Sequence, residues 1–182
     1  RFELPLRDPA AWRVEAMANN VSVNAWNGVP ALTGVDGYVQ AHQRGGFINL
    51  TSREAFSMHY VPTFKEPMHY QQAQGQIAWW LQPENKQIYV NSGAIHLRSE
   101  YEDATGYLWL AIPWHNPGAD MDLYLHIGAK QLAAAEYKKY VPAVVPPNLT
   151  EWLQTSIGDN NPGVANEAGF VFRGTLNTPV NN

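Results

Sequence analysis

The sequence predicts an all-β chain: an extended antiparallel meander with one or two short helices between about residues 133 and 157. Apolar and polar residues alternate with period 2 along much of the chain, the pattern of strands with one apolar face. Gly, Asn and Pro clusters interrupt the alternation at roughly 8 to 12 residue intervals, as turns do in a meander. Only one region replaces alternation with helix formers.

Taken in order, residues 37–42 and 46–51 form a first, weaker pair about the turn Gln43, Arg44 and Gly45. Further on, Ile77, Trp79 and Leu81 share one face, and Gln76, Ala78, Trp80 and Gln82 share the other. The turn formers Pro83, Glu84, Asn85 and Lys86 lead into Ile88, Tyr89 and Val90, which makes a hairpin. Ile95 and Leu97 alternate with Ala94, His96 and Arg98; residues 100–106 then read as a polar turn before a strand over 107–112. The clearest strand covers 121–128, with Met121, Leu123, Leu125 and Ile127 on one side and Asp122, Tyr124 and His126 on the other. Strand character resumes at 169–174.

Residues 133–140 combine Ala, Glu and Lys and stop at Pro142, which predicts a short helix. After Pro146 and Pro147, Asn148 and Glu151 have capping-box spacing, and Gly158 supplies a C-terminal stop. Leu149, Trp152, Leu153 and Ile157 would form the apolar side of this second helix.

At 182 residues the chain has single-domain length. A globule of this size buries about 70% of the surface its unfolded chain exposes. Charged residues make up 15% and aromatic residues 12% of the chain, against about one quarter charged in soluble proteins, so apolar or amphipathic surface is being built. Net charge is −4 and the basic residues are scattered, which gives a phosphate backbone no basic stripe and argues against nucleic acid as a partner. The absence of cysteine excludes disulfides, Cys-based zinc sites and thiol nucleophiles. No apolar run approaches the roughly 18 residues of a membrane span. Arg1 at the start and turn formers over 177–182 read as the cut ends of a larger protein, whose anchor would lie outside this piece.

Candidate chemistry is sparse. His42, His59, His69, His96, His115 and His126 fall on different predicted strands and loops without metal-ligand spacing, so neither a metal nor another cofactor is expected. Glu100, Glu102 and Asp103 could supply the paired carboxylates of sugar hydrolysis, but they share one turn and read as solvated. Ser52, Ser57, Ser92 and Ser99 lie outside any nucleophile elbow, and no helix follows Gly45 and Gly46 to make a phosphate loop. Asn20, Asn49 and Asn148 head short glycosylation-type triplets. No catalytic residue is assigned, and the chain is expected not to be an enzyme. Trp79, Trp109 and Trp114 could form an exposed platform for sugar rings; packing or groove lining accounts for them better, since hydroxyl partners are not clustered beside them.

Several segments follow one another in a characteristic order. They are Trp26, Asn27, Gly28, Val29, Pro30, Ala31 and Leu32 followed by Gly37; Gly75 to Trp79; Tyr140, Val141 and Pro142 through Leu149, Thr150, Glu151, Trp152 and Leu153; Gly163 and Val164; and Phe172, Arg173, Gly174, Thr175 and Leu176. With these, residues 26–174 resemble the YhdP branch of the AsmA-like, bridge-type lipid transport proteins of the Gram-negative envelope. The chain departs from the family pattern where Gly158, Asp159, Asn160, Asn161 and Pro162 lengthen the turn after the Trp-Leu helix.

The resemblance implies a very long antiparallel sheet bent into a U-shaped trough with an apolar interior. It also implies an inner-membrane anchor, a path across the periplasm and the movement of phospholipids towards the outer membrane. The 182 residues would be one segment of that repeating groove, with a helical insertion at about 133–157. Its partners would be phospholipid acyl chains and, through the parent protein, the two membranes.

The physical demand on such a trough is large. A sixteen-carbon chain exposed to water costs on the order of 12 kcal/mol at about 0.8 kcal/mol per methylene, so a continuous apolar track removes most of the barrier. The lining candidates are Ile77, Trp79, Leu81, Ile88, Val90, Leu97, Leu108, Leu110, Ile112, Met121, Leu123, Leu125 and Ile127. The helix at 149–157 would plug the trough through Trp152 and Leu153 or cover a sheet edge, and exposed edges would allow edge-to-edge self-association. Periodicity says which residues share a face and not what covers it; the same strands in a sandwich would make an ordinary core, and a carbohydrate-binding or adhesive β-domain is the alternative function.

Overall fold

A computed structural model of the protein describes residues 1–3, 11–25, 30–61, 64–114, 119–141, 143, 145–158 and 162–176. Its strands are β1 (Phe2–Glu3), β2 (Arg13–Val23), β3 (Ala31–His42), β4 (Gly45–Ser52), β5 (Phe56–His59), β6 (Met68–Tyr70), β7 (Gln72–Gln82), β8 (Gln87–Ser92), β9 (Ile95–Arg98), β10 (Asp103–Pro113), β11 (Met121–Ala133) and β12 (Val164–Leu176). All twelve belong to one antiparallel sheet in the order β1-β2-β3-β4-β7-β8-β10-β11-β12. This is an open, sequential meander and not a barrel. The short strands β5, β6 and β9 continue their neighbours: β5 pairs with β3 and β6, and β9 pairs with β7 and β10.

Three of the long strands are therefore broken strands. Arg53, Glu54 and Ala55 separate β4 from β5, Gln71 separates β6 from β7, and Gly93 and Ala94 separate β8 from β9. The breaks line up across the sheet. β3 pairs with β4 through Gly37 to His42 and with β5 through Ala31 to Thr33; β10 pairs with β8 through Trp109 to Pro113 and with β9 through Asp103 to Gly106. Interruptions of this kind bend a strand and raise its twist, so aligned breaks fold a sheet along one line.

Each break leaves backbone groups that need partners, and two buried serines supply them. The Asp36 N–H donates to Ser52 Oγ at 2.8 Å, and the Leu108 N–H donates to Ser92 Oγ at 2.8 Å. Backbone bonds complete the repair, from Gln71 N–H to the Arg98 carbonyl (2.8 Å) and from Gly93 N–H to the Gln76 carbonyl (3.0 Å). Gly34 sits opposite the first break with φ +67°, where a Cβ would lie 2.4 Å from the Ala55 carbonyl oxygen; only glycine fits.

Several expectations change in detail. The polar turn predicted over 100–106 is shorter, because β10 already begins at Asp103, and β11 runs on through Ala133. Residues Ala134–Tyr140 form a 3-10 helix. Helix α1 spans Pro147–Ser156 with Pro146 as N-cap and no side-chain cap bond, so the capping box of Asn148 and Glu151 does not form. Proline has no N–H to leave unpaired and a helical φ already set, which places Pro147 in the first turn and carries Asn148 inside the helix. Gly158 follows the C-cap with φ +72°, as a helix stop requires. Pro142 lies outside the described residues. β1, β2, β5 and β6 are additions: β1, β5 and β6 are too short to show a period, and β2 is exposed along most of its length.

Two apolar clusters follow. Val35, Leu50, Phe56, Met68, Tyr70 and Ala73 form the first, with Leu32, Ile48, Met58, Phe64, Leu97 and Tyr140 packed against it. Leu110, Ile112, Met121 and Leu123 form the second, flanked by Ile88, Val90, Leu108, Leu125 and Phe172.

Candidate functional site

The strand register decides which side chains share a surface. One cross-strand row joins Leu81, Ile88 and Ile112; the next joins Trp79, Val90, Leu110 and Leu123; others join Leu108, Leu125 and Phe172, and Ile127 and Phe170. Ile77 lies opposite Ile48 and Ser92, Leu97 opposite Ala73 and Ala104, and Met121 lies two residues before Leu123. All thirteen lining candidates thus lie on one face of the sheet. Leu110, Ile112, Met121 and Leu123 are buried and the other nine are half-buried. Among the described residues no second sheet stands over this face.

The opposite face is polar and aromatic. Trp80, Tyr89, Ala111, Asp122 and Thr175 form one row, and Ala78, Asn91, Trp109, Tyr124 and Arg173 form the next. Trp80 stacks on Tyr89 with ring centroids 5.5 Å apart, Tyr89 tilts against Trp109 at 5.8 Å, and Tyr107 stacks on His126 at 6.1 Å. Trp79 and Trp109 therefore cannot share the platform considered for them, because they point from opposite faces; Trp80 is the partner on the wet side.

One carboxylate is not where the sequence puts it. Glu100 and Asp103 are exposed, whereas Glu102 is only 4% exposed and neither of its carboxylate oxygens has a hydrogen-bond partner. Tyr70 and Tyr140 lie beside it. Burial pushes the Tyr70 hydroxyl up to about 12, with the Glu102 charge adding to the rise and the Tyr140 hydroxyl opposing it. Burial also holds the Tyr140 hydroxyl protonated far into the alkaline range, helped by Tyr70 and Glu102. The solvated-turn expectation fails for Glu102 because the 3-10 helix brings Tyr140 onto the first cluster beside it. With Glu100 and Asp103 in solvent and Glu102 buried, these three carboxylates do not face a common cleft as sugar hydrolysis requires.

Trp152 is 60% exposed and Leu153 half-buried, and α1 has no buried residue. The helical segment that packs on the apolar face is the earlier one, through Tyr140. Sequence patterning missed Phe56, Met68 and Tyr70, whose strands are too short for a period to appear; Tyr140 carried a signal as part of the Tyr-Val-Pro segment. Among the described residues no group of three or more His, Asp or Glu could hold a metal ion, and no helix is long and apolar enough to cross a membrane. His115 lies outside the described residues.

Comparison with known proteins gives one match. A family model described as YhdP protein matches residues 1–179. No curated protein and no solved structure matches the chain.

Proposed function

The chain belongs to the YhdP family, and from that premise we propose that its apolar face is one section of a hydrophobic groove that conducts phospholipids across the periplasm between inner and outer membrane. Family membership is consistent with a role in lipid transport. The observation that carries the finer assignment is the register: thirteen apolar side chains from five strands fall on one face of a single sheet whose other face is polar. Acyl chains need continuous apolar contact and no directional bonding, which half-buried Ile77, Trp79, Leu81, Ile88, Val90, Leu108 and Leu125 can provide. Nine strands along the main path at about 4.8 Å spacing make about 40 Å of wall. β1 and β12 leave edges onto which neighbouring sections of a larger, inner-membrane-anchored parent can pair, or a second copy of the chain.

The test is native mass spectrometry with lipid extraction on the chain purified gently from a bacterial envelope. Leu125→Asp is the informative variant, because Leu125 is half-buried between Leu108 and Phe172. Leu123 is 8% exposed inside the second cluster, and a charge there would disturb folding itself. Co-purified phospholipid that is lost on Leu125→Asp, with the β-type circular dichroism unchanged, is the expected result; a wild-type chain that carries no lipid refutes the assignment.

A further inference from the structure

We propose that the polar face of the sheet carries a saccharide site between β10, β11 and β12, selective for sugars that bear a carboxylate. It lies on the side opposite the apolar face and does not rest on the lipid assignment. The site is a shallow depression lined by Trp109, Asp122, Tyr124, Arg173 and Thr175. Trp109, Tyr124 and Arg173 stand side by side in one cross-strand row, and Asp122 faces Thr175 in the next. With about 4.8 Å between strands and about 6.8 Å between alternate residues, the five side chains cover roughly 10 by 7 Å, the footprint of one or two pyranose rings.

Their bonding capacity is largely unused. Arg173 has no ion-pair or hydrogen-bond partner among the described residues, and neither the ring nor the hydroxyl of Tyr124, which is 39% exposed, has one. Among the described residues the Asp122 carboxylate accepts only a long bond, from Thr175 Oγ1 at 3.4 Å. Cross-strand aromatic pairing accounts for Trp80, Tyr89 and Trp109, where Tyr89 stacks on Trp80 and tilts against Trp109. It does not account for Tyr124 and Arg173.

The chemistry matches a sugar. A pyranose offers a face of C–H groups to an aromatic ring, and vicinal hydroxyls that donate to a carboxylate such as Asp122 and accept from Thr175 or Arg173. The planar guanidinium of Arg173 pairs in a fork with a carboxylate, which sets the preference for an acidic sugar over a neutral one. Asp122 opposes a second anionic group beside the first, so an isolated carboxylate on a neutral ring fits better than a dense polyanion.

The 182-residue chain is titrated with a tetrasaccharide of hexuronic acid and with its neutral hexose counterpart, read by calorimetry and tryptophan fluorescence. The expected result is binding of the uronate with a dissociation constant of about 1 mM or tighter. Arg173→Gln should weaken it by about tenfold or more while leaving the weaker neutral binding in place. Tyr124→Ala should abolish both, with the thermal midpoint unchanged as the control for folding. Silence to about 10 mM overturns the site. So does equal affinity for the two oligosaccharides, binding that Arg173→Gln and Tyr124→Ala leave intact, or full competition by acetate, which would mark simple anion pairing.

Discussion

Replacing Glu102 with glutamine should make the chain more stable. The side chain is 4% exposed, neither oxygen accepts a hydrogen bond of good geometry although the Tyr140 hydroxyl interacts with it, and no described residue forms an ion pair with it. Taking a carboxylate charge out of water costs several kcal/mol even after relaxation, and the neighbouring Tyr70 and Tyr140 hydroxyls carry no positive charge to offset it. Glutamine keeps the shape and an acceptor oxygen, removes the charge, and adds an N–H donor that a phenol oxygen can accept. The net gain is about 2 kcal/mol, which at about 2–4 °C per kcal/mol for a chain of this length raises the thermal midpoint by about 4–8 °C. Scanning calorimetry at pH 7 on wild type and Glu102→Gln measures it, with Tyr140→Phe and the double variant closing a cycle. A midpoint lowered by a similar amount, with strong coupling to Tyr140, would refute the reasoning: the carboxylate would then hold charge-assisted bonds from the phenols and not sit unsatisfied.

Ser52→Ala and Ser92→Ala each strand a backbone N–H, that of Asp36 or Leu108, and should each cost about 1–3 kcal/mol in denaturant unfolding. Gly34→Ala places a Cβ 2.4 Å from the Ala55 carbonyl at a left-handed φ; the loss should exceed about 1 kcal/mol and show as faster hydrogen exchange in β5. Tyr70 is held neutral up to about 12 in the fold, against 10.0 when free, so its contribution is complete below pH 10 and is lost as pH rises from there through about 12. Thermal unfolding followed from pH 9 to 11.5 should therefore fall less steeply in Tyr70→Phe than in wild type; an unchanged slope would contradict the burial of this hydroxyl.

The sequence by itself determined the faces of the long strands. In β7, β8, β10 and β11 the period of two is a property of the extended backbone, so Trp79 and Leu123 were bound to point away from Trp80 and Tyr124 once these segments were strands. Short turns then set the register, which lets the thirteen apolar candidates line up without any distant contact being known. The phase between hairpins is not legible in the same way, and so pattern alone does not reveal that Trp79 and Trp109 face opposite sides. What only the tertiary structure decided lies where distant pieces meet. Glu102 and Tyr70 are buried because a 3-10 helix from residues 134–140 comes back to place Tyr140 beside them, and Trp152 stays in solvent because its helix packs no residue into either cluster. Local pattern records which way a side chain points; burial depends on what else arrives at that place, and for these residues the arrival comes from more than thirty positions away along the chain.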